Sequence, residues 1–267
     1  MNTFLRSTIA EFFKIKHTPV PWLVLIGGII TSLLVLFKFV INPYRDIGLN
    51  SSPWPNFYEF SLNLVSLFLL PLFVVLLVSF ITSIEERSNT WKYLYFLPFS
   101  KGYIYFSKLL TIVLLLFCTV LIYHCSVLVT GYILDLLVPE FEFRYYQPDW
   151  WGMGKQMIHL FISLLGILGF QYWLTMQHKP FLVPIGIGIL GFIIGFVLLI
   201  MNHSIGSYFP FTYPMHVNAS FVNGRNTLNP KILGGLGQLE WHSIAYFLFF
   251  TLLGYVQERS RNVVGTE

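Results

Sequence analysis

The sequence predicts an all-α fold: a polytopic membrane bundle of six transmembrane helices forming one domain over residues 1–267. Three observations predict it. Of the 267 residues, 55% are hydrophobic and only 10% are charged, whereas a water-soluble domain carries about 25% charged residues. The apolar residues gather into six runs on the scale of a bilayer. The charged residues fall mainly between those runs, and mean hydropathy is +0.69. The net charge of +4 belongs to topology, because the basic residues sit at particular loops. It does not point to a nucleic-acid partner. The 27 Phe and 15 Tyr suit contact with membrane lipid and interfacial belts.

Residues 1–19 set Phe4, Leu5, Ile9, Phe12, Phe13 and Ile15 among Arg6, Glu11, Lys14 and Lys16. This pattern predicts an amphipathic helix lying in the cytoplasmic interface. A signal peptide is the rival reading, but the next apolar run is long and no small-residue cleavage site ends it. Pro19 and Pro21 separate this helix from span 1, 20–41, where Lys38 can snorkel to the headgroups. An outer loop, about 42–60, carries Pro43, Pro53, Trp54 and Pro55. Span 2 covers 60–84, with a kink expected at Pro71. Asn63 and Ser66, three residues apart, either bond a neighbouring helix or face a substrate path.

Residues 85–108 follow, the densest cluster of charge in the chain. Ser88 or Asn89 can cap a helix, and Trp91, Leu94 and Tyr95 then share one face. Pro98 cannot continue that helix and pushes Leu97 out of the α region. Ser100 can cap the next. Within the cytoplasmic segment 85–104 the pattern predicts a short amphipathic helix and a sharp break at Pro98, followed by a new membrane helix. Such an element suits docking of a soluble partner; it equally suits a plain interfacial linker.

Span 3 covers 105–134, with Tyr123, His124 and Ser126 as a polar middle. Cys118 and Cys125 lie two turns apart on it, about 10 Å of rise, and cannot bridge each other within that helix. A second outer loop, about 136–155, carries Glu140, Glu142, Asp149, Trp150 and Trp151. Its Gly154-Lys155 pair would need Gly at 149 and Ser or Thr at 156 to form a phosphate loop, and the chain has Asp149 and Gln156. Span 4 covers 156–176 and span 5 covers 181–201, and the short 177–180 turn predicts that they are antiparallel neighbours. In span 5, Gly191 and Gly195 form a small-xxx-small pair that permits close helix approach. Residues 202–240 form a long outer connection whose apolar piece 232–239 can dip back into the membrane. Span 6, 241–256, is short for a bilayer.

Positive-inside counting places Arg6, Lys14, Lys16, Arg87, Lys92, Lys101, Lys108, Lys179, Arg259 and Arg261 on the inner side. Lys38, Arg45, Arg144, Lys155, Arg225 and Lys231 are spread over the longer outer segments. The bias predicts a multi-pass protein of the cell (inner) membrane with both termini cytoplasmic.

The 85–108 stretch resembles the segment between spans 2 and 3 of type-2 ATP-binding cassette exporter permeases, including the lantibiotic, antibiotic and drug exporters. Their pattern is roughly Glu-x-x-x-Gly-Thr, an apolar helix, Pro-Val-Ser-Arg, then an Ile and a Lys. Glu85, Glu86, Thr90, Leu94, Pro98, Ser100, Ile104 and Lys108 supply it here. Asn89 stands for Gly, Phe99 for Val and Lys101 for Arg; the motif covers about a tenth of the chain. The resemblance implies a permease subunit that moves a hydrophobic or amphipathic substrate outward, a peptide antibiotic, drug or lipid. ATP and Mg would be bound by separate ATP-binding cassette ATPase subunits, and this chain would hold no cofactor. A second permease copy, or a related permease, would complete the transporter. By the same resemblance, Glu85, Glu86 and Thr90 anchor the coupling element, Trp91 and Leu94 fill a groove on the ATPase, and Pro98 sets its angle. Ser100 and Lys108 complete that set. The resemblance also implies re-entrant helices in the 202–240 connection.

Two other functions compete. Membrane-embedded prenyl-protein proteases carry Glu-Glu-x-x-x-Arg; Glu85 and Glu86 begin that motif, but Thr90 stands where it needs Arg. His17, His124, His159, His178, His203, His216 and His242 form no helical ligand pair, so no catalytic or metal-binding set is predicted. An ATP-independent channel or immunity protein is the other alternative. The sequons at Asn50, Asn202 and Asn218 matter only in a eukaryotic secretory system.

Overall fold

The computed structural model describes residues 3–42, 52–87, 101–177, 180–201, 204–222 and 236–260. Among them every regular element is helical: α1 (Thr3–Lys16), α2 (Val20–Ile41), α3 (Trp54–Leu64), a π-helical turn (Val65–Leu69), α4 (Leu70–Arg87), α5 (Lys101–Leu137), α6 (Trp150–Thr175), α7 (Leu182–Ile200), α8 (Tyr213–Val222) and α9 (Gln238–Ser260), with short 3-10 turns between some of them. Among the described residues six helices are long and apolar enough to cross a membrane: Val20–Ile41, Trp54–Ile84, Lys101–Leu137, Trp150–Thr175, Leu182–Ile200 and Gln238–Ser260. The all-α bundle predicted from the sequence is the fold observed.

The bundle is sorted by size more than by polarity. On α2 the large apolar residues Trp22 (69% exposed), Ile26, Leu33 and Phe37 face outward, while Gly28, Thr31 and Ser32 are buried. In water an apolar stripe of this extent would drive association; in lipid it is solvated. Small inward residues let backbones approach, which is how membrane helices pack. On α1, Thr8, Glu11 and Ile15 are buried against the bundle and Leu5 and Phe13 face out.

Several features differ from the sequence reading, among them the third span, whose helix runs Lys101–Leu137. The helix of span 2 begins at Trp54, not near residue 60. Pro55 lies in its first turn, where no N–H is required. Trp54 is buried, and its indole N–H donates to the carbonyls of Phe143 and Tyr146 at 3.2 and 3.0 Å. Near Pro71 the irregularity is the π turn Val65–Leu69 just before it. Proline has no N–H for the preceding turn and its ring crowds that turn's carbonyl, so a widened turn accommodates it. Helix α6 begins at Trp150, because the Asp149 carboxylate caps it by accepting the Gly152 N–H at 3.0 Å. Trp150, Trp151 and Lys155 are therefore helical. Helix α9 has 23 residues, about 34 Å, so the sixth span is not short. Glu240 and Glu258 are 2% and 7% exposed inside the helix.

The long helix α5, 37 residues, runs through the bundle and packs against α2 along its length. Near its end Asp135 accepts from Arg144 Nε at 2.9 Å. Helix α7 contacts α6 but packs mainly against α4 and the turn Pro210–Thr212. Helix α8 packs on α6, α3, α9 and the π turn. That turn starts eleven residues into the combined α3–α4 helix, about 16 Å from its beginning, so the 204–222 connection folds back along the bundle. Lys38, read as snorkelling, holds its ammonium 3.3 Å from the centroid of the Phe60 ring. Outside the described residues lie Pro43, Arg45, Asn50, most of the 85–104 element, His178, Lys179, Asn202, His203, Arg225, Lys231, the first half of the 232–239 piece and Arg261.

Candidate functional site

Helix α5 starts at Lys101, directly after the 88–100 stretch, and its first turns are bound to two other spans. Tyr105 is 3% exposed. Its hydroxyl donates to the Thr251 carbonyl of α9 at 2.9 Å. The Tyr172 hydroxyl of α6 donates to the Tyr105 carbonyl, also at 2.9 Å. Ring centroids of Tyr105 and Tyr172 lie 5.0 Å apart, those of Tyr105 and Tyr255 5.9 Å, and those of Phe106 and Tyr255 5.2 Å. Gly254 makes this possible: a Cβ there would come within 2.5 Å of the Tyr105 hydroxyl. Further along, Trp173 Nε1 and Gln177 Nε2 donate to Gln257 Oε1 at 3.0 and 3.1 Å. Two buried hydrogen bonds at about 1 kcal/mol each and three aromatic pairs at about 0.5–1.5 kcal/mol each tie the ends of α5, α6 and α9 into one unit.

Helix α1 rides on the same turns of α5. The hydroxyls of Ser7 and Ser107 are 2.8 Å apart, and Glu11, 5% exposed, pairs with Lys14 at 2.6 Å. Lys108 is 2% exposed and engaged within the bundle. Glu85 and Glu86 lie in the last turn of α4. Thr90, Trp91, Leu94, Pro98 and Ser100 lie outside the described residues. The described structure thus gives the two helices that bracket the predicted coupling element.

The other predicted residues separate. Ser66 is buried, and its hydroxyl donates to the Asn63 carbonyl of its own helix at 3.5 Å. At Gly191 and Gly195 the group that approaches most closely is Phe211, not another span. A Cβ would stand 2.7 Å from its ring at Gly191 and 2.9 Å from its Cβ at Gly195. Gly188 is the position that admits α4, through Val75. His124 Nδ1 bonds the Val120 carbonyl of its own helix at 2.8 Å.

The polar links between spans use Tyr123 and Ser126 of the polar middle of span 3, together with residues the sequence did not mark, such as Gln171 and Ser243. Ser126 bonds Ser32 at 2.5 Å and the Gly28 carbonyl at 3.0 Å, joining α5 to α2. Ser61 and Tyr123 are 2.9 Å apart. Gln171 Nε2 donates to Ser79 Oγ and to the Pro184 carbonyl, joining α6 to α4 and α7. Ser243 accepts the Gly166 N–H at 2.8 Å, and His159 pairs with Glu240, joining α6 to α9. On α8, burial pushes the His216 imidazole below its ordinary range and the Tyr213 hydroxyl above its own. Among the described residues no group of three His, Cys, Asp or Glu is placed to hold a metal ion.

A protein-family model described as "ABC-2 family transporter protein" matches residues 9–195. The match takes in α2 to α6 and most of α7, and it includes the 85–108 stretch and the Tyr105–Tyr172 contact. No curated protein matches the chain.

Proposed function

We propose, from the premise that this chain belongs to the ABC-2 family of transporter proteins, that it is the permease subunit of an ATP-driven exporter. The family makes it a multi-pass membrane transport component. The observation that carries the finer reading is the binding of the first turns of α5, immediately after residues 88–100, to α6 and α9. A partner that pushes on 88–100 moves three spans together. In this reading ATP and Mg are held by a separate ATPase pair, and a second permease copy or a related permease completes the cavity. Glu85, Glu86 and Thr90 anchor the coupling element, Trp91 and Leu94 enter the ATPase, and Pro98 and Ser100 set the break before α5. Lys108, being buried, acts as a positioning residue for the base of α5. The substrate is a hydrophobic or amphipathic molecule. Helix α8 lies at membrane depth as a re-entrant piece, supported by its contact with the π turn.

Two experiments test this. The tagged chain, isolated from its native membranes with mild detergent, is expected to bring down an ATPase with Walker motifs, in a complex of two permeases and two ATPases by native mass. Reconstituted vesicles should move amphipathic cargo only with ATP. A lone chain that transports or conducts without nucleotide would replace this reading with that of an ATP-independent channel. For orientation, single cysteines are introduced in a Cys118→Ser, Cys125→Ser background; both native cysteines are free and exposed. Asp149→Cys is expected to react with an impermeant reagent in intact cells and Lys101→Cys only after lysis. The opposite pattern would invert the topology.

A further inference from the structure

A cavity of about 380 Å³ opens between the first turns of α3 and α6. That is the small end of ligand cavities, which run about 300–1,000 Å³. Trp54, Tyr58, Leu62 and Met153 give it an apolar, aromatic lining, and Glu59 and Asp149 add two carboxylates. Leu62 and Met153 are 1% and 8% exposed. The Tyr58 hydroxyl is buried with no hydrogen-bond partner among the described residues. The cations closest in sequence to this lining are turned elsewhere. Arg144 pairs with Asp135, Lys155 Nζ sits over the Trp151 ring at 5.1 Å, and neither lines the cavity.

The sign of the site follows from magnitudes. Two helix N-termini face this region, and each contributes about half a positive charge. Among the described lining residues the two carboxylates outweigh them and leave a net charge of about −1. The Tyr58 ring lines the cavity, and an aromatic ring attracts a soft cation that meets its face. We infer that this cavity binds a monovalent organic cation with an apolar or aromatic body, an ammonium or phosphonium, free in solution or carried as a lipid headgroup. The inference does not rest on the export reading, because binding here needs neither ATP nor a partner.

The test is equilibrium dialysis of the purified full chain in maltoside detergent against radiolabelled tetraphenylphosphonium, with empty micelles subtracted. Tetraphenylborate, of nearly the same size and opposite charge, is the control. One saturable phosphonium site per chain is expected, with none for the borate. Glu59→Gln and Asp149→Asn should each weaken binding about ten-fold, and Met153→Trp should fill the cavity and abolish it. Asparagine caps a helix as well as aspartate, so Asp149→Asn keeps the fold even if another variant does not. Added phosphatidylcholine that displaces the phosphonium assigns the natural ligand to a lipid headgroup; no displacement assigns it to a soluble cation. Equal saturable binding of the borate, or unchanged affinity in the charge variants, would overturn the site.

Discussion

Replacing Trp91 and Leu94 together by alanine is expected to leave the protein in the membrane at normal abundance while its ATPase no longer co-purifies and ATP-dependent export stops. The two residues are three apart, and Tyr95 follows at the fourth position, so a helix would present them on one face. The candidate spans lie outside this stretch, and insertion does not depend on it. A central tryptophan is a common anchor at protein interfaces, and truncating one at a hot spot costs about 2 kcal/mol or more, on the order of a thirty-fold loss of affinity. The measurement is paired: permease abundance by blotting, and ATPase recovered with the tagged permease. A linker without a docking role predicts that both stay unchanged, and full ATPase recovery with full export would remove the coupling element from the mechanism.

Substituting Tyr105 by alanine should have the complementary effect: the ATPase still binds, but its hydrolysis no longer drives transport. Tyr105 is not on the proposed docking face. It joins α5 to α9 by its hydroxyl and packs on Tyr172 and Tyr255. Removing a buried aromatic ring costs about 3–5 kcal/mol, enough to loosen the unit that links the three helix ends. Tyr105→Phe keeps the ring and loses one hydrogen bond, about 1 kcal/mol, so it should retain most transport. ATPase co-purification and ATP-driven uptake into inverted vesicles are measured side by side. Export at the normal rate by Tyr105→Ala would mean that force does not pass through this hub.

The candidate site was legible in the sequence only on its near side. Residues 85–108 stand out because charge and a proline interrupt apolar sequence. The hub they abut does not stand out, because Tyr105, Tyr172 and Tyr255 are three of 15 tyrosines. Their meeting depends on Gly254, whose missing side chain is a local fact with a distant consequence. The polar residues that seemed informative, Asn63 and Ser66, include a hydroxyl that bonds its own helix. Ser126, Gln171 and Ser243 link the spans.

The sequence by itself determined the class of fold, the number of spans, and the place of the one charged stretch between spans 2 and 3. These are one-dimensional properties: a bilayer selects for apolar length, and charge is expelled wherever it has no partner. The tertiary structure decided where helices end and what they touch. Glu240 and Glu258 sit inside α9 because the fold encloses them. Gly191 and Gly195 receive Phe211, and Tyr105 reaches Thr251, a residue 146 positions away. In water the apolar stripe of a helix announces its buried face. In lipid both faces are apolar, so periodicity loses that information, and the inward side is set by close steric fit and by polar groups that find one another only once the chain is folded.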